Sequence, residues 1–321
     1  MKSITTFMME LHKELREKRE IAEITASQYI RTLYGLNSER PFTNLAWLKN
    51  VESVENRISE YAESTQKTIL STIVSTLSLY SQKSAYKKIF AYWYNRMMEK
   101  ANDLNGRDSS QKTDKQEDNW LHWEVVKGHE KRLHEEAQEV VKKKDLTTAD
   151  WNVLLSFMVL SLYTQFAPRR NQDYQFMKVV KTSAQAKDTE FNYYITDTNR
   201  FVFNKYKTAK AHGEQSFEVP VDLVKSINLY LSRHPGKKKP FTFLVDSEGM
   251  ALPSVNSITR ILNRIFGKNV GATMLRHIYL SSKYDVEEMN DDAEKMGHTS
   301  GMQHEYMKGS SSVEVPTFIN G

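Results

Sequence analysis

Apolar residues recur along this chain with two different periods. Up to about residue 100 the period is helical. Tyr29, Leu33 and Leu36 share one face, after Thr25-Ala26-Ser27-Gln28, which reads as a capping box with Gln28 reaching back to the cap. Ile69, Ile73 and Leu77 make a second stripe, doubled by Leu70 and Val74. Tyr86, Ile89, Phe90, Trp93 and Met97 make a third. These stripes predict a small helical domain over 1–100. Asn102-Asp103-Leu104-Asn105-Gly106-Arg107-Asp108-Ser109-Ser110 is polar and turn-rich, and predicts a linker over 101–118. Helix returns around 120–126. A charged helix with one solvated face follows over 130–144. After Thr147, a candidate cap, Leu155, Val159, Leu162 and Phe166 form a buried helical stripe that Pro168 ends.

The period then shortens. Residues 191–195 and 201–206 are β-rich runs around Asp197-Thr198-Asn199-Arg200, a hairpin signal, and 216–219 offers a third strand. Helices resume over 221–231, 254–266, 272–283 and 287–296, and Gly297 stands where a glycine closes a helix. The pattern predicts a mainly α chain with a small antiparallel β-sheet. A helical N-terminal domain precedes an α+β domain over 119–321, whose tail begins at about 310.

With 321 residues there is room for two domains and a sizeable core. The formal net charge of +5 and a pI of about 9.0 suit a polyanionic partner but do not require one. Cysteine is absent, which excludes disulfides and thiolate metal sites. No apolar run reaches the length of a membrane span, and the first residues lack an apolar signal core. His129-Glu130-Lys131-Arg132-Leu133-His134 has one residue too many to set both histidines on one helical face as a zinc pair. There is no Gly-Lys-Ser/Thr loop for a nucleotide phosphate. No cofactor and no metal are expected.

Four basic or hydroxyl-bearing elements follow one another in the second half. They are Pro168-Arg169-Arg170-Asn171-Gln172-Asp173, then Lys205-Tyr206-Lys207-Thr208-Ala209-Lys210, then Ala272-Thr273-Met274-Leu275-Arg276-His277. The last is Met296-Gly297-His298, with Tyr306 eight residues after the histidine. Such a set can cut a phosphodiester. Guanidinium neutralises the phosphate and donates to its non-bridging oxygens through a planar fork. A lysine can give its proton to a leaving oxygen, and a phenol, of pKa about 10, can attack once deprotonated. Each piece has an ordinary reading. An arginine pair after a helix complements the helix dipole, and a lysine on a loop is usually just solvated.

Taken in order, Arg, Lys, Leu-Arg-His, Gly-His and Tyr resemble the tyrosine recombinase (integrase) family, of a viral or mobile-element type. The resemblance covers roughly 150–310, and 1–100 fits the family's DNA-clasping domain in outline. It implies a tyrosine-recombinase catalytic domain that cleaves and rejoins duplex DNA through a 3′-phosphotyrosyl intermediate. Arg170 becomes the first arginine, with Arg169 as the alternative, and Asp173 the nearby acid that orients its guanidinium. Lys207 becomes the general acid, with Lys205 and Lys210 competing. Arg276 becomes the second arginine, His298 a donor to a non-bridging oxygen, and Tyr306 the nucleophile.

The chain departs from the family at Thr273, where the family has histidine; His277, one helical turn on, either substitutes or packs within the domain. The interval from His298 to Tyr306 is one residue short of the family's common spacing. The implied partners are double-stranded DNA with specific sites and three further copies in a tetramer on DNA, the free protein being a monomer or weak oligomer, with no membrane. The tail 310–321 is a candidate for docking on a neighbouring subunit. The implied setting is intracellular: nucleus or virus factory for a eukaryotic virus or element, cytoplasm for a prokaryotic one. Two other readings stay open, a type IB topoisomerase-like relaxing enzyme and an inactive DNA-binding protein with the same fold.

Overall fold

The side chain of Thr5 accepts the backbone N–H of Met8 and so satisfies one of the donors that every helix start leaves open. From there α1 (Thr6–Arg19) buries Met8, Leu11 and Leu15 along one face. α2 (Glu23–Leu36) starts before the expected capping box: its cap is Ala22, with no side-chain bond, and Thr25 and Gln28 lie inside the helix. The buried stripe of the helix is Ala26, Ile30, Leu33 and Leu36. A 3-10 turn at Ala46–Lys49 leads into α3 (Val51–Ser59), α4 (Glu63–Ser78) and α5 (Ser84–Asn105). Ile69, Ile73 and Leu77 of α4 close on Ile89 and Trp93 of α5. Trp93 is fully buried and donates its indole N–H to the Leu48 carbonyl at 3.2 Å.

This computed structural model describes residues 4–105, 112–236, 238, 240–282 and 295–297. It divides into two compact units, Met1–Asp108 and Ser109–Gly321. The stretch expected as a linker is helical at both described ends, in the last turn of α5 and in α6 (Asp114–Asn119). Among the described residues no helix is long and apolar enough to cross a membrane.

In the second unit, α7 (Trp123–Val140) is one helix where the pattern suggested two. α8 (Thr148–Thr164) starts at a capping box, Thr147 and Asp150 each bonding the other's backbone N–H. It is buried on nearly every side, packed by α7, by α11 (Val221–Ser232) and by α12 (Val255–Phe266). Between α8 and α11 the chain forms α9 (Asn171–Gln175), β1 (Lys178–Val180), β2 (Tyr193–Ile195), β3 (Arg200–Phe203), α10 (Ala209–His212) and β4 (Gln215–Glu218). β5 (Phe241–Thr242) and α13 (Ala272–Ser282) complete the described elements.

The sheet order is β4-β3-β2-β1-β5. The expected hairpin is β2–β3, with Tyr194 opposite Phe201 and Asn199 at φ 48° in the turn. β4 joins it antiparallel as foreseen. The sheet is nevertheless mixed rather than antiparallel, because β1 runs parallel to β2. Residues 181–192 form a long enough return to bring β2 in beside β1 in the same direction. Tyr194, Phe201 and Phe203 point into the core under α8, and the other face buries Val180, Tyr193, Ile195 and Val202.

Candidate functional site

Beyond α8 the chain cannot remain helical, because Pro168 pushes its predecessor out of the α region. Arg170 caps α9 with an extended backbone, φ −75° and ψ 149°. In extended chain, neighbouring side chains point to opposite sides. The consecutive arginines therefore separate.

Arg169 turns inward and is wholly buried. Its Nε donates to Asp173 Oδ2 at 2.9 Å, Nη2 to Gln215 Oε1 at 3.1 Å, and Nη1 to the Lys295 carbonyl. Its guanidinium carbon lies 3.8 Å from the Phe203 ring centroid and 5.2 Å from that of Tyr206. Asp173 was expected to orient Arg170. Its ion pair is with Arg169 instead, one helical turn away, since that is the arginine directed into the interior.

Arg170 turns outward, half-buried, into a cleft of about 580 Å³. Asn171, Thr273, Arg276 and His277 line the same cleft. Asn171 fixes one wall. Its amide donates to the Val255 carbonyl at 3.0 Å and to Thr259 Oγ1 at 2.8 Å, and its oxygen accepts from the Tyr163 hydroxyl at 2.7 Å. α13 supplies the other wall. Thr273 is exposed, while Arg276 and His277, three and four residues on, are 2% and 8% exposed. Gly271, just before α13, approaches Thr259 so closely that a Cβ there would lie 3.3 Å from its methyl.

The second basic element reaches the site through Thr208. Its hydroxyl donates to the Gly297 carbonyl at 2.6 Å, and Arg170 Nη1 donates to that same oxygen at 3.2 Å. Lys207 itself is exposed on the loop after β3 and is not one of the residues that line the cleft. Lys205 is engaged by Glu190 in an exposed ion pair, and Lys210 is exposed on α10. Gly297 has φ +69°, a conformation that suits glycine. His298, Tyr306 and the tail from 310 lie outside the described residues, as does most of the expected helix over 287–296.

Burial pushes the Asp173 carboxyl above its ordinary range, and the guanidiniums of Arg169, Arg170 and Arg276 pull it back. Asp173 pairs with Arg169 and feels the charge of Arg170 and Arg276, so positive charge is in excess over this one carboxylate beside the cleft. Burial raises the Tyr163 hydroxyl well above its usual range, with Tyr174 and Asp173 adding to it and Arg276 opposing. That phenol is a hydrogen-bond donor in the wall and is ill suited to attack. Among the described residues no group of three His, Cys, Asp or Glu is placed to hold a metal ion.

Sequence reasoning assigned no part to Asn171, Thr208, Gln215 or to Lys115 and Gln116, which also line the cleft. The last two fell in the expected linker. Their signal was Thr113 and Gln116, which form a capping box at the start of α6.

No family model matches the chain, and no curated protein matches it. Among solved structures it is similar to one described as the crystal structure of XerA recombinase. The identity is 12%, the match covers 95% of this chain and 93% of that chain, and the TM-score is 0.40.

Proposed function

We propose that this chain is a site-specific DNA strand transferase of the tyrosine-recombinase kind, acting on duplex DNA. The observation that carries this reading is the convergence of Arg170, at the start of α9, and Arg276, on α13, on one cleft. Two guanidinium forks facing a common space suit the non-bridging oxygens of one phosphate. In this reading the Tyr306 oxygen, its proton passing to solvent, attacks the phosphorus, the 5′ oxygen leaves with a proton from Lys207, and a 3′-phosphotyrosine results. His298 donates to a non-bridging oxygen. Thr273 gives a hydrogen bond from the rim, and His277 supplies the imidazole that position 273 lacks. The phosphodiester energy is retained in the new ester, so the reverse attack by a 5′ hydroxyl rejoins the strand without a nucleotide cofactor. Four copies on two DNA sites would carry out the exchange.

The test is a pool of nicked suicide duplexes of randomised sequence, incubated with the full chain and analysed for a covalent protein–DNA adduct. The wild type is expected to form the adduct. Tyr306→Phe, which loses only a hydroxyl, is expected to bind DNA and form none. A wild type that forms no adduct on any duplex sinks the reading. An adduct that persists in Tyr306→Phe moves the nucleophile to another tyrosine.

A further inference from the structure

We propose that Arg169 is a positioning residue. It holds the turn at 295–297, and with it the peptide that leads into His298, against the Arg170 side of the cleft. The purpose of that hold rests on the recombinase reading; the hold itself does not.

A buried guanidinium is an expensive way to fill space between Phe203, Tyr206 and Phe217, where an apolar side chain would serve. What it adds is three donor nitrogens in a fixed plane. Asp173 takes one and thereby sets the plane. The other two leave the local segment, to Gln215 on β4 and to the Lys295 carbonyl. The turn is therefore tied to the sheet edge and to the start of α9 through one side chain.

Gly297 is fitted to the same group: a Cβ there would stand 2.9 Å from Arg169 Nη2 and 3.2 Å from Tyr206 Cδ2. Its carbonyl, captured by Arg170 and Thr208, belongs to the planar peptide it shares with His298. The two arginines thus divide one task. Arg170 faces the cleft, and Arg169 sets where the next part of the chain departs.

Two variants of the full chain test this. Arg169→Lys keeps a charge for Asp173 but loses the fork. Gly297→Ala keeps the Arg169–Asp173 pair but forces a Cβ against it. Amide exchange of the peptide containing 295–297, melting temperature, affinity for a labelled duplex and the single-turnover adduct rate are measured for each. Both variants are expected to exchange faster at 295–297 and to bind DNA as the wild type does. Their adduct rate should fall by roughly a hundredfold, the scale of a small misplacement of reacting groups.

Wild-type exchange and adduct rate in either folded variant overturns the proposal. Loss of DNA affinity together with adduct formation also overturns it, since that is what general damage to the fold gives. Should Arg169→Lys not fold, Gly297→Ala decides alone. If the wild type itself forms no adduct, the recombinase reading fails, and the exchange measurement still decides whether the turn is held.

Discussion

Among the described residues of the first unit, the buried polar groups are hydroxyls: Thr72, Ser75 and Thr76. Thr72 and Thr76 simply donate back to the carbonyls of Thr68 and Thr72 in their own helix. The second unit buries Arg169, Arg276, Asp173, Glu130, Asp150 and His277. Both units have an aromatic and aliphatic core of the usual kind. The difference is that the second also withdraws charged side chains from water. Desolvation of ions is unfavourable unless they are well paired. Arg276 and His277 line the cleft, and Arg169 and Asp173 pair beside the Arg170 turn, so part of this buried charge sits where stability has been traded for a defined arrangement.

The contrast can be broken at its strongest points. Trp93→Ala removes the largest buried side chain of the first unit and should cost about 3–5 kcal/mol in chemical denaturation of the full chain. Asp173→Ala should cost a similar amount, about 3–5 kcal/mol, for a different reason: it leaves a guanidinium buried without its carboxylate. The reasons separate in a second step. Combining Arg169→Met with Asp173→Leu should recover most of the Asp173→Ala loss, because two apolar side chains replace the pair. A double variant no more stable than Asp173→Ala alone would show that the pair itself stabilises the unit. No single compensating change should rescue Trp93→Ala.

A smaller effect concerns Asp150 at the start of α8. Its hydrogen bond from Lys143 at 2.5 Å, with further bonds from the Thr147 hydroxyl and N–H, lowers the carboxyl to about 2. A depressed folded value means that the carboxylate stabilises the fold above its ordinary titration range, about pH 4, and loses that contribution as pH falls toward 2. Melting temperature followed from pH 5 to about pH 2 should therefore drop less steeply in Asp150→Asn than in the wild type. Parallel curves would mean that the cap is indifferent to the charge.

The helical stripes were legible because each rests on many residues in register: every apolar position marked in α4 is buried, and Ile89 and Trp93 of the α5 stripe are buried too. The start of α2 was not, since Thr25 and Gln28 have the spacing of a capping box whether or not the helix begins there. β1 and β5 span three and two residues, too short to show alternation, and the parallel pairing of β1 with β2 depends on a distant return that no local signal announces. The split between Arg169 and Arg170 was also out of reach. A string of letters places both in one motif, and only the extended backbone at the α9 cap sends one inward and the other into the cleft. The cap at Thr147, by contrast, was local chemistry and could be read directly; the structure adds the reciprocal bond to Asp150.

The sheet ends on β4, whose residues Gln215–Glu218 are polar but for one phenylalanine, and on β5, which offers two residues. Exposed strand edges are the usual route by which β structure recruits more chain, and short or charged edges are a natural guard against it. Among the described residues, the sheet therefore offers another chain little edge on which to pair.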